Sequence, residues 1–223
     1  MRGVDEMPTI AYKTKDGTRV KGATTIKGNN VGWGKGPLMW WANKQGLEGK
    51  TLQEAYKTAT VSGTVAHLMI ESYLKDIPVD LGGYSDIDIN KAQTAFDNFI
   101  TWTNQFKFEP VAIEPNLVSE SLLFGGTPDV IATVLGKLCL VDWKTGKVYE
   151  DILLQLVAYK HLWEENHPDQ PLTGGFHVLQ IPKNEDVPAF THRYWATLPP
   201  EAWEAFECAL TLNRCQKILK QYV

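Results

Sequence analysis

Residues 125–146 read Gly-Gly-Thr-Pro-Asp-Val-Ile-Ala-Thr-Val-Leu-Gly-Lys-Leu-Cys-Leu-Val-Asp-Trp-Lys-Thr-Gly. Runs of β-branched and aliphatic residues lie on either side of Gly136-Lys137, and a glycine at the first position of a two-residue turn supplies the positive φ that a tight hairpin demands. The expected pairing sets Leu135 against Leu138, which puts Ile131 opposite Asp142 and Asp129 opposite Lys144. Side chains alternate between the faces of a strand, so Asp129, Asp142 and Lys144 share one face, with the two carboxylates diagonal and about 5–8 Å apart. The other positions are apolar on both faces, Val130, Ala132 and Val134 on one and Ile131, Leu138 and Leu140 on the other. That is the pattern of a central strand pair covered on both sides.

Charges are costly in such a place. A single Asp-Lys pair would do no more than brace the hairpin. A second Asp on the same face asks for more compensation, and a divalent cation accounts for both carboxylates. Oxygen donors without a cysteine cluster suit Mg²⁺ or Mn²⁺.

Pro128-Asp129, followed after a gap of 13 positions by Asp142-Trp143-Lys144-Thr145-Gly146, resembles the PD-(D/E)xK superfamily of metal-dependent phosphodiesterases. The DWKTG ending, followed by Gln155-Leu156-Val157-Ala158-Tyr159, resembles the RecB-like exonuclease branch with its Gln-x-x-x-Tyr helix. Upstream, Gly63-Thr64, His67 and Glu71 resemble the helix that supplies a histidine metal ligand in that branch. The resemblance implies an α/β fold with a mixed central β-sheet flanked by helices on both sides. It implies catalytic roles for Asp129, Asp142, Lys144, Gln155 and Tyr159, and one or two Mg²⁺ or Mn²⁺ ions held by His67, Asp129, Asp142 and the carbonyl of Trp143. Lys144 would orient or deprotonate the attacking water, or oppose developing negative charge. Supporting roles fall to Glu71 (through water, or orienting His67), to Thr145 (on a phosphate oxygen) and to Glu120, for which an edge-strand surface charge is the alternative.

The implied activity is hydrolysis of DNA phosphodiester bonds, with an exonuclease acting on ends in replication, recombination or repair as the favoured form. DNA, single-stranded or with free ends, is the expected partner, and a recombination or replication protein is a further candidate. One alternative is a DNA-binding recombination subunit with an inactive nuclease core, against which the complete Asp-Asp-Lys set speaks. The other is an endonuclease of the same superfamily, although no element for reading a specific sequence is visible. Cys139, Cys208 and Cys215 make neither a disulfide framework nor a zinc site, and they are too few for the four-cysteine iron–sulfur cluster of some RecB-like nucleases. Cys208 and Cys215, seven apart in a helical segment, are expected to fill the core.

The net charge of −4 looks unsuited to nucleic acid until it is divided along the chain. Residues 1–50 carry nine basic and four acidic residues, a balance of +5, and the remainder carries −9. A small, basic, Gly-rich N-terminal lobe over residues 1–50 is therefore expected to meet phosphate, with the nuclease core and its C-terminal helix over 51–223. No stretch reaches the roughly 18 apolar residues of a membrane span. The first residues lack an apolar signal core, so the expected location is cytoplasmic.

Residues 8–21 alternate well enough for a basic hairpin turning at Asp16-Gly17. The five glycines between residues 22 and 36 suggest a mobile loop, in which Lys27, Trp33 and Lys35 are candidate DNA contacts. Trp40 and Trp41, in a short helix over 37–44, are expected to pack a small lobe against the core rather than to stack on bases. Helices are expected over 51–57, with Thr51 and Glu54 at capping-box spacing, and over 60–74, 90–106, 150–166 and 199–222. Strands are expected over 111–124, 174–181 and 189–196, the last two around a turn at 182–186.

Overall fold

The computed structural model describes residues 11–183 and 190–223. Residues 8–10 of the front hairpin, the 184–186 part of the expected turn and Ala189 lie outside the described residues. The core is a five-stranded sheet in the order β3 (Phe108–Ile113), β6 (Val130–Val134), β7 (Lys137–Lys144), β8 (Phe176–Gln180), β9 (Thr191–Trp195). All neighbours are antiparallel except β7 and β8, so the sheet is mixed, as expected. The crossover between β7 and β8 is α5 (Ile152–Asn166).

Strand alternation sorts the core into two layers. Val130, Ala132, Cys139, Val141 and Trp143 face α3 (Leu52–Leu74) and α4 (Asp86–Phe106), burying Ile70, Phe99 and Trp102. Ile131, Leu140, Phe176 and Val178 face α5 and α6 (Pro200–Leu219), with Leu156, Leu162 and Phe206. The two helices expected over 51–57 and 60–74 are one continuous α3, since no breaker stands between them; Thr51 and Glu54 form the full capping box.

The hairpin differs from expectation in one respect. Val134 pairs with Lys137 and Ile131 with Leu140, so the turn is Leu135-Gly136 and not Gly136-Lys137. Both turn residues have positive φ, 51° and 79°, the I′ geometry that follows the right-handed twist of the strands. Continuing this register sets Asp129 opposite Asp142 rather than opposite Lys144. The shift moves the pairing by two places, and an even shift leaves every side chain on its expected face.

The expected strand over 111–124 is broken into β3, β4 (Leu117–Ser119) and β5 (Phe124–Gly126), because Glu114 and Leu123 both turn to positive φ. The front segment is more ordered than its glycines suggest. β1 (Tyr12–Lys13) and β2 (Arg19–Gly22) form the hairpin, and β2 pairs parallel to β5 in a small sheet of order β1-β2-β5-β4. The expected loop is partly helix α1 (Ala23–Asn30), where burial of Ala23 and Ile26 among α5 and α6 outweighs the cost of Gly28. α2 (Lys35–Leu47) buries none of its residues, so Trp40, 69% exposed, does not pack against the core as expected. Cys208 and Cys215 are exposed on α6 and fill no core position; only Cys139 is buried. Among the described residues, no helix is long and apolar enough to cross a membrane.

Candidate active site

The C-terminal end of β7 runs into α5 on one face and α3 on the other, and the charged residues gather there. Asp142 is fully buried. Its Oδ1 accepts a hydrogen bond from Gln155 Nε2 at 3.0 Å. Its Oδ2 forms an ion pair with Lys144 Nζ at 2.6 Å and has no other polar partner among the described residues. Asp129, at the entry of β6, accepts the Trp143 backbone N–H through Oδ2 at 2.9 Å and places Oδ1 3.7 Å from His67 Nδ1.

Burial sets the protonation behaviour of the group. It raises the Asp142 carboxyl to about 6 against the pull of Lys144, with Asp129 adding to the rise, and it raises Asp129 as well. Burial works against the Lys144 ammonium, but Asp142 and Asp129 outweigh it and hold its pKa above the usual lysine value. Tyr159 stays protonated, its pKa raised by burial and then by the two Asp carboxylates. His67 falls to about 4 through burial and the neighbouring Lys144 charge, although its side chain is still 32% exposed. Its Nδ1 accepts the Trp143 indole N–H at 3.1 Å, so the neutral ring carries its proton on Nε2.

Of the remaining sequence candidates, Thr145 lies beside this group. A Cβ at Gly63 of α3 would come within 2.7 Å of the Thr145 hydroxyl, so the helix reaches β7 this closely because residue 63 has no side chain. Glu71 forms an ion pair with Lys75 and neighbours Glu114. Glu120 is not part of the group: exposed, it accepts the Lys15 backbone N–H at 2.9 Å. Lys27 forms an ion pair with Asp151 at 2.9 Å, whereas Lys35 and Trp33 stand exposed at the start of α2.

Three residues at the site escape sequence reasoning. Glu114, held at φ 46°, has its carboxyl raised to about 7 by burial, then by Glu71 and Asp129. An acidic residue at a strand break is too common a pattern to single it out. Lys183 donates from Nζ to the Ala59 carbonyl at 3.1 Å, close to Gly63, and burial lowers its pKa. Tyr12 covers Gly125, and its hydroxyl lies 3.0 Å from Thr127 Oγ1, while Tyr159 covers the adjoining Gly126. The glycine pair was the available signal, since two rings need a strand without side chains to lie on.

Among the described residues, no three His, Cys, Asp or Glu side chains stand arranged to hold a metal ion. The donor set nevertheless fits a hard divalent cation, because two buried carboxylates neighbour each other and Asp142 Oδ2 has the Lys144 ammonium as its one partner among the described residues.

No curated protein matches the chain. Among solved structures, a candidate exonuclease of Eubacterium rectale is similar at 11% identity, with a TM-score of 0.47 over 73% of this chain and 69% of that one. The family model described as "PD-(D/E)XK nuclease superfamily" matches residues 86–222, which include Asp129, Asp142, Lys144, Gln155 and Tyr159 and exclude α3 with His67. That match spans more than half of the chain, which therefore belongs to the PD-(D/E)XK nuclease superfamily.

Proposed function

We propose that the protein is a Mg²⁺- or Mn²⁺-dependent deoxyribonuclease that removes nucleotides from DNA ends. Membership of the superfamily implies a hydrolase acting on nucleic acid, and its members generally use divalent ions. The observation that supports the finer reading is the meeting of Asp129, Asp142 and Lys144 at one strand end, two buried carboxylates beside one ammonium. Asp129, Asp142, His67 and the Trp143 carbonyl would hold the ion, His67 by turning its ring away from the Trp143 indole. A divalent ion held there lowers the pKa of bound water and neutralises charge on the phosphate.

The protein's own groups do the rest. Lys144, beside the two carboxylates, opposes the negative charge that grows on the phosphoryl oxygens or orients the attacking water. Gln155 fixes the rotamer of Asp142. Tyr159, protonated and one turn along α5, offers a hydroxyl donor toward the phosphate. Attack by water forms one P–O bond and breaks another; the attacking water gives up a proton to solvent, and the departing oxygen takes one from it. The preference for ends rests on the Gln155–Tyr159 pair. The first 50 residues, with Lys35 and Trp33 exposed at α2, are proposed to handle the strand around the site, and a replication or recombination protein to deliver it.

The test compares wild type with Asp142→Asn and Lys144→Ala on linear and sealed circular DNA. Wild type should degrade linear DNA with Mg²⁺ or Mn²⁺, and each variant should lose at least about a hundredfold, the scale of one electrostatic donor. Mg²⁺ should also raise the melting temperature of wild type and leave that of Asp142→Asn unmoved. Retained cleavage in both variants would remove this group from the chemistry, and a circle cut as fast as a linear strand would replace the end-acting reading by an endonuclease.

A further inference from the structure

Tyr12 and Val20 face each other across the β1–β2 ladder, with Tyr12 on the side of Gly125 and the active site. Arg19 and Lys21 therefore point to the opposite side of the small sheet, toward the end of α6. A groove of about 530 Å³ lies there, and Arg19, Lys21, Arg214, Lys217 and Lys220 all line it, with no acidic residue among the lining. In a chain of net charge −4, such a cluster needs an explanation. After Glu207 the sequence holds these last three basic residues and no acid. Among the described residues, none of the five is in an ion pair.

The five divide into braces and free charges. Lys21 Nζ donates to Asn213 Oδ1 at 2.9 Å, and Arg214 Nη2 donates to the Leu122 carbonyl at 2.6 Å, tying β2 and the turn before β5 to α6. Arg19, Lys217 and Lys220 are exposed, and among the described residues their side chains make no hydrogen bond. The groove is thus a braced frame with three uncommitted cations on it, over an apolar floor that includes Leu123 and the buried Leu210.

We infer that the groove between β2 and the end of α6 binds the phosphodiester backbone of the nucleic acid at a distance from the bond being cut. This rests on the nuclease reading of the active site only for the identity of the polyanion. Continuity favours nucleic acid over an acidic protein. Lys21 pairs with Phe124, and from Phe124 the chain reaches Asp129 in five residues, about 17 Å at full extension. Duplex DNA rises about 3.4 Å per base pair, so a substrate held at the site carries phosphates over that span within roughly five base pairs.

The experiment measures binding and cleavage separately on the full chain. Binding of a labelled 20-nucleotide strand and of its duplex is followed in EDTA across a salt series. The proteins are wild type, Arg19→Gln/Lys217→Gln/Lys220→Gln, and a control with equal charge loss elsewhere, Lys107→Gln/Lys137→Gln/Lys160→Gln. Each phosphate contact contributes about 0.9 to the log–log salt slope on duplex and about 0.7 on single strands, so the groove variant should lose about two to three contacts' worth, and the control none. Hydrolysis of a dinucleoside monophosphate, whose one phosphate is the one being cut, should keep its wild-type kcat and KM. An unchanged slope, or an equal loss in the control, overturns the inference, as does salt-dependent binding of polyglutamate with no binding of DNA. A protein that binds through the groove yet hydrolyses nothing keeps the groove and loses the nuclease reading; cleavage with an unchanged slope does the reverse.

Discussion

Asp142 and His177 are both buried polar groups on the central sheet, and their environments push their titrations in opposite directions. Asp142 meets a lysine, an amide and a second acid at the strand end. His177, level with Val141 on the opposite face of the sheet, sits with its Nδ1 2.8 Å from His192 Nε2, and burial followed by His192 lowers its pKa to about 4. The unfolded chain takes up a proton at a histidine near pH 6.5, before the folded protein does. His177 therefore contributes stability that is whole above about pH 6.5 and is lost as the pH falls toward about 4. Comparing urea midpoints of wild type and His177→Gln at pH 7.5 and pH 5 should show wild type losing more over that interval, and equal losses would remove His177 from the acid sensitivity. At this scale the convergence of Asp129, Asp142 and Lys144 was legible, because strand alternation puts them on one face, and the resemblance pointed to His67, which stands beside Asp129. Glu114 was not legible: it matters through its neighbours Glu71 and Asp129, which lie far from it in sequence.

Among the elements, the β6–β7 hairpin carries the most information and also a local conflict. Its I′ turn holds Leu135 at φ 51°, with the residue 62% exposed and so little burial to offset that conformation. A left-handed residue with a Cβ costs about 1–2 kcal/mol, which asparagine partly avoids. Leu135→Asn should raise stability by about 0.5–1 kcal/mol in urea unfolding with nuclease activity unchanged, and a loss of stability would mean that the leucine makes contacts outweighing its backbone. The same turn explains why the register differs from the expected one. Glycine is favoured at either turn position, so Gly136 alone leaves two registers open, and the twist of the paired strands selects the one with Leu135-Gly136. The sequence predicts two helices where α3 is continuous for a related reason, since local propensity weakens between Lys57 and Thr60 while packing against α4 carries the helix across.

For the whole molecule, the front of the chain is the part that tertiary structure redefined. Ile26 is fully buried among α5 and α6 side chains, and β2 is hydrogen-bonded to the strand that leads to Asp129. Ile26→Ala should cost about 2–5 kcal/mol and shift a single cooperative transition. A separate early transition with an unshifted main one would instead mark the front as an independent unit. Sequence by itself determined the α/β class, the two-sided burial of the central strands and the face shared by two carboxylates and a lysine, because these follow from the period of a strand and the cost of burying charge. Only the tertiary structure decided that α1 would form, that Glu114, Lys183 and Tyr12 would join the site, and that basic residues nearly 200 positions apart would line one groove. The physical reason is one of range: alternation and turn chemistry act between neighbours, whereas a glycine-rich stretch becomes helix, and scattered lysines become a surface, only when distant elements supply the burial and the company.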